Sequence, residues 1–167
     1  NDSECPVTTA PTLTSAINDN IDIPITVTDF NNIGAVSLTL KYDSLALKFN
    51  SAINTGGFPD LIINNPKPGI VTVSGITNNP AGYSLANNSV LITLNFTYLG
   101  GTTTLSWFDD GTSCEYASRV PFYNVLIDNP QTNYYIDGMV SSNQATPVIL
   151  VGAATNPATC DGNGIIP

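Results

Sequence analysis

Hydrophobic and polar residues alternate along much of this chain. From Ile21 to Thr28, the apolar residues Ile21, Ile23, Ile25 and Val27 interleave with Asp22, Pro24, Thr26 and Thr28, the period-two pattern of a strand with one buried face. Pro24 has no N–H for a ladder and needs an edge or a bulge. Val36, Leu38, Leu40 and Tyr42 alternate with Ser37, Thr39 and Lys41, which gives the clearest amphipathic strand. Ile70–Ile76 and Val90–Tyr98 repeat the pattern. Thr102–Phe108, Val120–Ile127 and Tyr134–Ser141 add shorter β-rich runs, separated by turn clusters such as Asp109-Asp110-Gly111 and Asp128-Asn129-Pro130. Only Asp43–Leu47 could be helical, and five residues make a turn at most. Without crossover helices a parallel α/β fold is excluded. The pattern predicts an all-β fold: a two-sheet antiparallel β-sandwich, or jelly roll.

Composition supports this. Of the 167 residues 42% are hydrophobic and only 10% charged, so the polar surface is supplied by Asn, Thr and Ser, which favour turns and strand faces over helices. The length suits one domain, with residues 1–142 as the sandwich and 143–167 as an additional strand and a linker or docking tail. The net charge of -9 disfavours nucleic acid and anionic membrane surfaces as partners. The longest apolar stretch, around Val148–Val151, is far short of the roughly 20 residues a spanning helix needs, so no membrane insertion is expected. Asn1 opens a polar, acidic stretch unlike a signal peptide; any targeting segment is expected to have been removed, or the sequence is a piece of a longer one.

The chain has no histidine, which removes the familiar base of nucleophilic triads and dyads. Glu4 and Glu115 lie outside the predicted strands, and Asp109 and Asp110 are neighbours in a turn, so no acid/base pair stands out. An enzyme is not expected. Cys5, Cys114 and Cys160 have no metal-site spacing. They are disulfide candidates in an oxidising compartment, with one thiol left over, or else buried reduced thiols. No organic cofactor is implied. Calcium is the one metal whose ligand chemistry fits, with Asp109 and Asp110 as candidates and Asp128, Asn129 and Asp137 as further oxygen donors. Trp107 reads as core; an aromatic sugar platform would have to draw on Tyr83, Tyr123 or the Tyr134-Tyr135 pair.

Several segments resemble the cohesin family, the nine-stranded jelly-roll receptors of dockerins. Gly34-Ala35-Val36-Ser37-Leu38-Thr39-Leu40-Lys41-Tyr42-Asp43 followed by Leu45-Ala46-Leu47-Lys48-Phe49 is the most specific match. Asn88–Tyr98 is similar to the family's long penultimate strand, and Tyr135-Ile136-Asp137-Gly138-Met139-Val140 to its closing strand with an embedded glycine. The resemblance spans about residues 10–142. It implies about nine strands and a non-catalytic binding module of a secreted bacterial surface or extracellular assembly. Recognition would use the flat polar face of one sheet, to which Ser37, Thr39 and Lys41 contribute, with Thr72 and Ser74 from a neighbouring strand. Many dockerin-binding cohesins carry acidic or amide side chains where this chain has Ala35 and Ser37, which leaves the partner's identity open. The partner is expected to be a dockerin-like module or another copy of the chain.

Two alternatives stand beside it. Val148, Ile149, Leu150 and Val151 could add a strand to a neighbouring copy and build an extracellular fibre. Exposed tyrosines could make a carbohydrate-binding module, with a glycan as partner. Separately, Asp43-Ser44-Leu45 is similar to the short Asp-Ser/Thr-apolar site at which some bacteria O-glycosylate exported proteins, which marks Ser44 as a glycosylation candidate.

Overall fold

The alternation in Ile33–Lys41 is realised as a strand, β4, whose Val36, Leu38 and Leu40 are buried while Ala35, Ser37, Thr39 and Lys41 face outward. In chain order the strands are β1 Val7–Thr9, β2 Thr12–Ser15, β3 Asn20–Thr28, β4, β5 Leu47–Asn54, β6 Ile62–Lys67, β7 Ile70–Ile76, β8 Ser89–Tyr98, β9 Thr103–Trp107, β10 Glu115–Ser118, β11 Asn124–Val125, β12 Tyr135–Ile136 and β13 Gly138–Ser142. A single 3-10 turn at Gln131–Asn133 is the only helical element among the described residues. The computed structural model describes residues 5–144.

Two sheets face each other. The first runs β12-β1-β3-β8-β5. In the second, β4 is central: β6 and β7 lie on one side of it, while its other edge is shared by β10, backed by β11, and by β9, which continues through β13 to β2. Between them pack Ile23, Ile25, Leu94 and Phe96 from the first sheet and Leu38, Leu40, Val71 and Val73 from the second, all buried. Leucine, isoleucine, valine and aromatic side chains on two opposed faces remove apolar area from water, the main favourable term in folding. Pro24 lies where β3 has β8 as its only neighbour, since β1 pairs just with Thr26–Thr28, and a register shift follows at Ile25/Thr26. Both escapes open to a strand proline are used.

The two ends of the sandwich are tied by a shared kink. The N-terminal segment leaves the first sheet as β1 and enters the second as β2; the C-terminal segment does the same as β12 and β13, parallel to it at each stage. At the crossing, Ala10 N–H donates to Ile136 O (2.9 Å) and Met139 N–H to Pro11 O (3.1 Å). A Cβ on Gly138 would lie 2.2 Å from Pro11 O, so only glycine lets the two backbones approach. The nine strands expected thus appear as thirteen segments: both terminal strands divide at this crossing, and the 103–125 region contributes three.

Three expectations are corrected. Val120–Ile127 is not a continuous strand: only Asn124–Val125 forms one, with Ile127 in an isolated bridge, because Pro121 has no N–H to offer and Tyr123 takes a positive φ of 50°. Glu115 lies on a strand, β10. The resemblance implies a short strand over Leu45–Phe49; the strand begins at Leu47 and runs on to Asn54. The tail residues Thr146–Pro167, including Val148–Val151, lie outside the described residues, as does Cys160.

Candidate partner-binding face

Because cross-strand partners share a face, the register of β4 decides which outward side chains meet. Ser37 sits opposite Ser74 of β7 and Glu115 of β10; Thr39 sits opposite Thr72; Lys41 sits opposite Ile70 and, on β9, Ser106. All five residues picked from the sequence therefore share one surface, as two rungs, Ser37–Ser74 and Thr39–Thr72, with Lys41 at the end. β6 extends the rungs with Ile62 opposite Ser74 and Asn64 opposite Thr72.

One rung further along, polarity ends. Ile76, Ala35, Ala117 and Val125 stand in direct register across β7, β4, β10 and β11. Ile76 is 64% exposed and Val125 55%, and Ile62 beside them is 61% exposed. Ala117, between them, is buried. This apolar row was not legible from the sequence: its members lie far apart along the chain, and only the pairing of four strands lines them up. A shallow depression of about 570 Å³ lies at its Ile76 end, lined by Ile62, Ser74, Gly75, Ile76, Val36 and Asp60. At its floor the chain crosses close to Gly75, where a Cβ would fall 2.8 Å from Asp60 O.

The loop between β9 and β10 borders the polar end. Phe108 N–H donates to Thr39 O (2.9 Å), and the Cys114 thiol accepts the Thr39 N–H (3.4 Å) and donates to Phe108 O (3.3 Å). Loop and sulfur thus occupy the stretch of β4 edge that neither β9 nor β10 covers. Lys41 Nζ lies 3.2 Å above the Phe108 ring centroid, a cation–π contact that fixes the one cation among the five residues.

The acidic turn in that loop serves its own backbone. Asp109 accepts from Gly111 N–H (2.9 Å), Cys114 N–H (3.3 Å) and the Gln131 amide. Asp110 accepts from Ser113 N–H (3.0 Å) and from the Thr112 hydroxyl (3.1 Å), and hydrogen bonding by the Ser113 and Thr112 side chains holds its carboxyl below the usual range. Asp137 accepts the Trp107 N–H at 2.8 Å. No group of three or more His, Cys, Asp or Glu suited to a metal occurs among the described residues.

Cys5 and Cys114 are buried free thiols. Burial, as the largest cause, pushes each up to about 12. Of the tyrosines weighed as a sugar platform, Tyr135 is buried, and Tyr83, Tyr123 and Tyr134 are half-buried. Tyr83 packs on Phe58, and the Tyr123 hydroxyl donates to Thr77 O (2.6 Å). Trp107 packs against the core, its indole N–H on Ile136 O (3.0 Å).

A family model of the cohesin domain matches residues 6–132, most of the described sandwich. The chain belongs to the cohesin family. Cohesins are non-catalytic protein-binding modules, and this one is not an enzyme. No curated protein matches it. Among solved structures it is similar to the seventh ScaB type I cohesin of Pseudobacteroides cellulosolvens (TM-score 0.68, 13% identity, covering 87% of this chain and 96% of that one). It is similar also to the OlpA cohesin of Clostridium thermocellum, solved as a cohesin–dockerin complex (TM-score 0.65, 13% identity, 83% and 99%). A third is a non-cellulosomal cohesin of the archaeon Archaeoglobus fulgidus (TM-score 0.65, 12% identity, 84% and 92%). At these identities the likeness is one of fold. No helix among the described residues of this cohesin is long and apolar enough to cross a membrane.

Proposed function

We propose that this cohesin is a scaffolding module of a secreted bacterial surface or extracellular assembly, and that it binds a dockerin-like module on the outward face of β6, β7, β4 and the β9/β10 edge. The observation that carries the reading is the Ile76–Ala35–Ala117–Val125 row lying directly beside the Ser37–Ser74 and Thr39–Thr72 rungs. Binding surfaces of specific complexes combine a desolvated apolar centre with a polar surround, and this face has both within five strands. Ser37, Thr39, Thr72 and Ser74 supply short hydroxyls that bond a partner at little entropic cost. Calcium has no part in the reading on this chain's side of the contact.

The test is calorimetric titration with dockerin modules from the same source. Ile76→Asp places a charge in the apolar row and is expected to weaken binding by about 30-fold or more, the scale of a hot-spot residue. Thr39→Arg, in the polar rungs, is expected to weaken it as well. Unchanged affinity in both variants, each verified as folded by circular dichroism, would remove the face from consideration. Two outcomes would redirect the reading instead: polymers that vanish when residues 143–167 are deleted would favour strand addition through Val148–Val151, and glycan retention lost on changing Tyr134 to Ala would favour a carbohydrate-binding module.

A further inference from the structure

The turn joining β4 to β5 presents a serine hydroxyl that the fold does not use. Asp43 O accepts the N–H groups of Ala46 (3.1 Å) and Leu47 (3.0 Å), its Oδ1 accepts the Leu45 N–H (2.8 Å), and its own N–H donates to Thr103 Oγ1 (2.8 Å). Four hydrogen bonds on one residue make the turn rigid, with Ser44 and Leu45 at its apex. Ser44 is exposed and its hydroxyl enters no hydrogen bond with the described residues. Leu45 is 83% exposed, the most of any large apolar residue among those described.

Beside Ser44 opens a depression of about 430 Å³, walled by Tyr42, Phe49, Pro68 and Leu99, with Lys48 and Asn65 as its polar members. That volume is within the range of small-ligand sites, where apolar and aromatic walls carry a few placed polar groups. Tyr42 is held by the Asn65 amide nitrogen on its hydroxyl (3.0 Å), and Phe49 packs edge-on to Phe96 at 5.5 Å. The same Asn65 nitrogen also serves Lys67 O and Ile70 O, which leaves the amide oxygen as an acceptor. Ring surfaces for the C–H face of a pyranose, one amide acceptor and one ammonium donor for its hydroxyls, and a free serine oxygen at the rim together describe a seat for a sugar attached to that oxygen.

We propose that Ser44 is an O-glycosylation site and that its first sugar, a hexose or N-acetylhexosamine, rests in this depression. In the transfer, Ser44 Oγ forms a bond to the anomeric carbon of a glycosyl diphosphate donor held by a transferase. The bond from that carbon to the diphosphate oxygen breaks, the diphosphate leaves with the electron pair, and the serine proton passes to a base of the transferase. Leu45, projecting beside the nucleophile, is the side chain the transferase reads. A phosphoryl group at Ser44 would instead put a dianion next to the Asp43 carboxylate in a chain already at -9 and leave the apolar walls without a partner.

The experiment is peptide-level mass spectrometry of the chain purified from its native producer, together with Ser44→Ala made in the same cells. The expected result is a mass excess of whole hexose or N-acetylhexosamine units on the peptide containing Ser44, lost completely in Ser44→Ala, with nuclear Overhauser contacts between sugar protons and the Phe49 ring. A bare Ser44 peptide, a phosphate in place of the sugar, or a mass excess that persists in Ser44→Ala would overturn the site. A sugar on Ser44 without contacts to Phe49 or Leu99 would overturn its seat.

Discussion

Inside the sandwich the hydroxyls of Thr8 and Tyr116 meet at 2.7 Å, and both side chains are almost fully buried. Removing one partner strands the other. Tyr116→Phe should therefore lower the unfolding free energy by about 1–3 kcal/mol, read from urea denaturation. The pair Tyr116→Phe with Thr8→Val should cost less than the sum of the single changes, a non-additivity that a merely space-filling tyrosine would not give. A second effect at this scale is set by the thiols. Cys5, whose sulfur lies 3.6 Å from the Tyr135 hydroxyl, and Cys114 titrate near 12 when folded, against 9.0 for the free group. As pH rises past 9.0 the unfolded chain releases these protons while the folded chain keeps them, so the folded state binds more protons and stability falls with pH. Tyr116 and Tyr135, raised chiefly by burial, act with the same sign further into the alkaline range. Urea midpoints should be flat from neutral pH to about pH 8 and fall steadily above about pH 9, and both thiols should resist alkylation until the chain unfolds.

Among the elements, the clearest case is the crossing of the terminal strands. Gly138→Ala drives a methyl group into Pro11 O and the Ala10 carbonyl, and both are backbone that cannot swing away. We expect a loss of about 2–4 kcal/mol, with amide exchange accelerated first in β2 and β13; a variant as stable as the parent would show that the crossing relaxes freely. The element scale also marks where sequence reading stops. β3, β4, β7 and β8 each have one buried and one outward face and announce themselves by alternation. β10 is Glu-Tyr-Ala-Ser with three consecutive buried residues, so it carries no period. β6 is an outer strand containing Pro66, with no fully buried residue, and β1 and β2 are interrupted by Ala10-Pro11. Short, bent or edge strands acquire their identity from the strand they pair with.

For the whole molecule, among the described residues the buried core runs from Cys5 to Val140, and the last backbone bond to the sandwich is Asn143 N–H to Ser15 O at 3.0 Å. A chain ending at Gln144 is expected to unfold cooperatively within a few degrees of the full chain, in calorimetry, and to bind the same partner with the same affinity. A large loss of either would move the boundary of the domain, or of its binding surface, into residues 145–167.

The sequence by itself determined the class of fold, the members of the inner and outer faces of the long strands, and the lack of a histidine base. Each is a local property: side-chain direction alternates strictly along a strand, so periodicity alone assigns the face. Tertiary structure alone decided which outward residues meet. Ile76, Ala35, Ala117 and Val125 come from four strands spread over ninety residues of chain and form a row only through register. The same holds for Ser44, whose three-residue motif is local but whose neighbouring seat is built from Tyr42, Phe49, Asn65 and Leu99. Register and seat are sums over long-range contacts, and no window of sequence contains them.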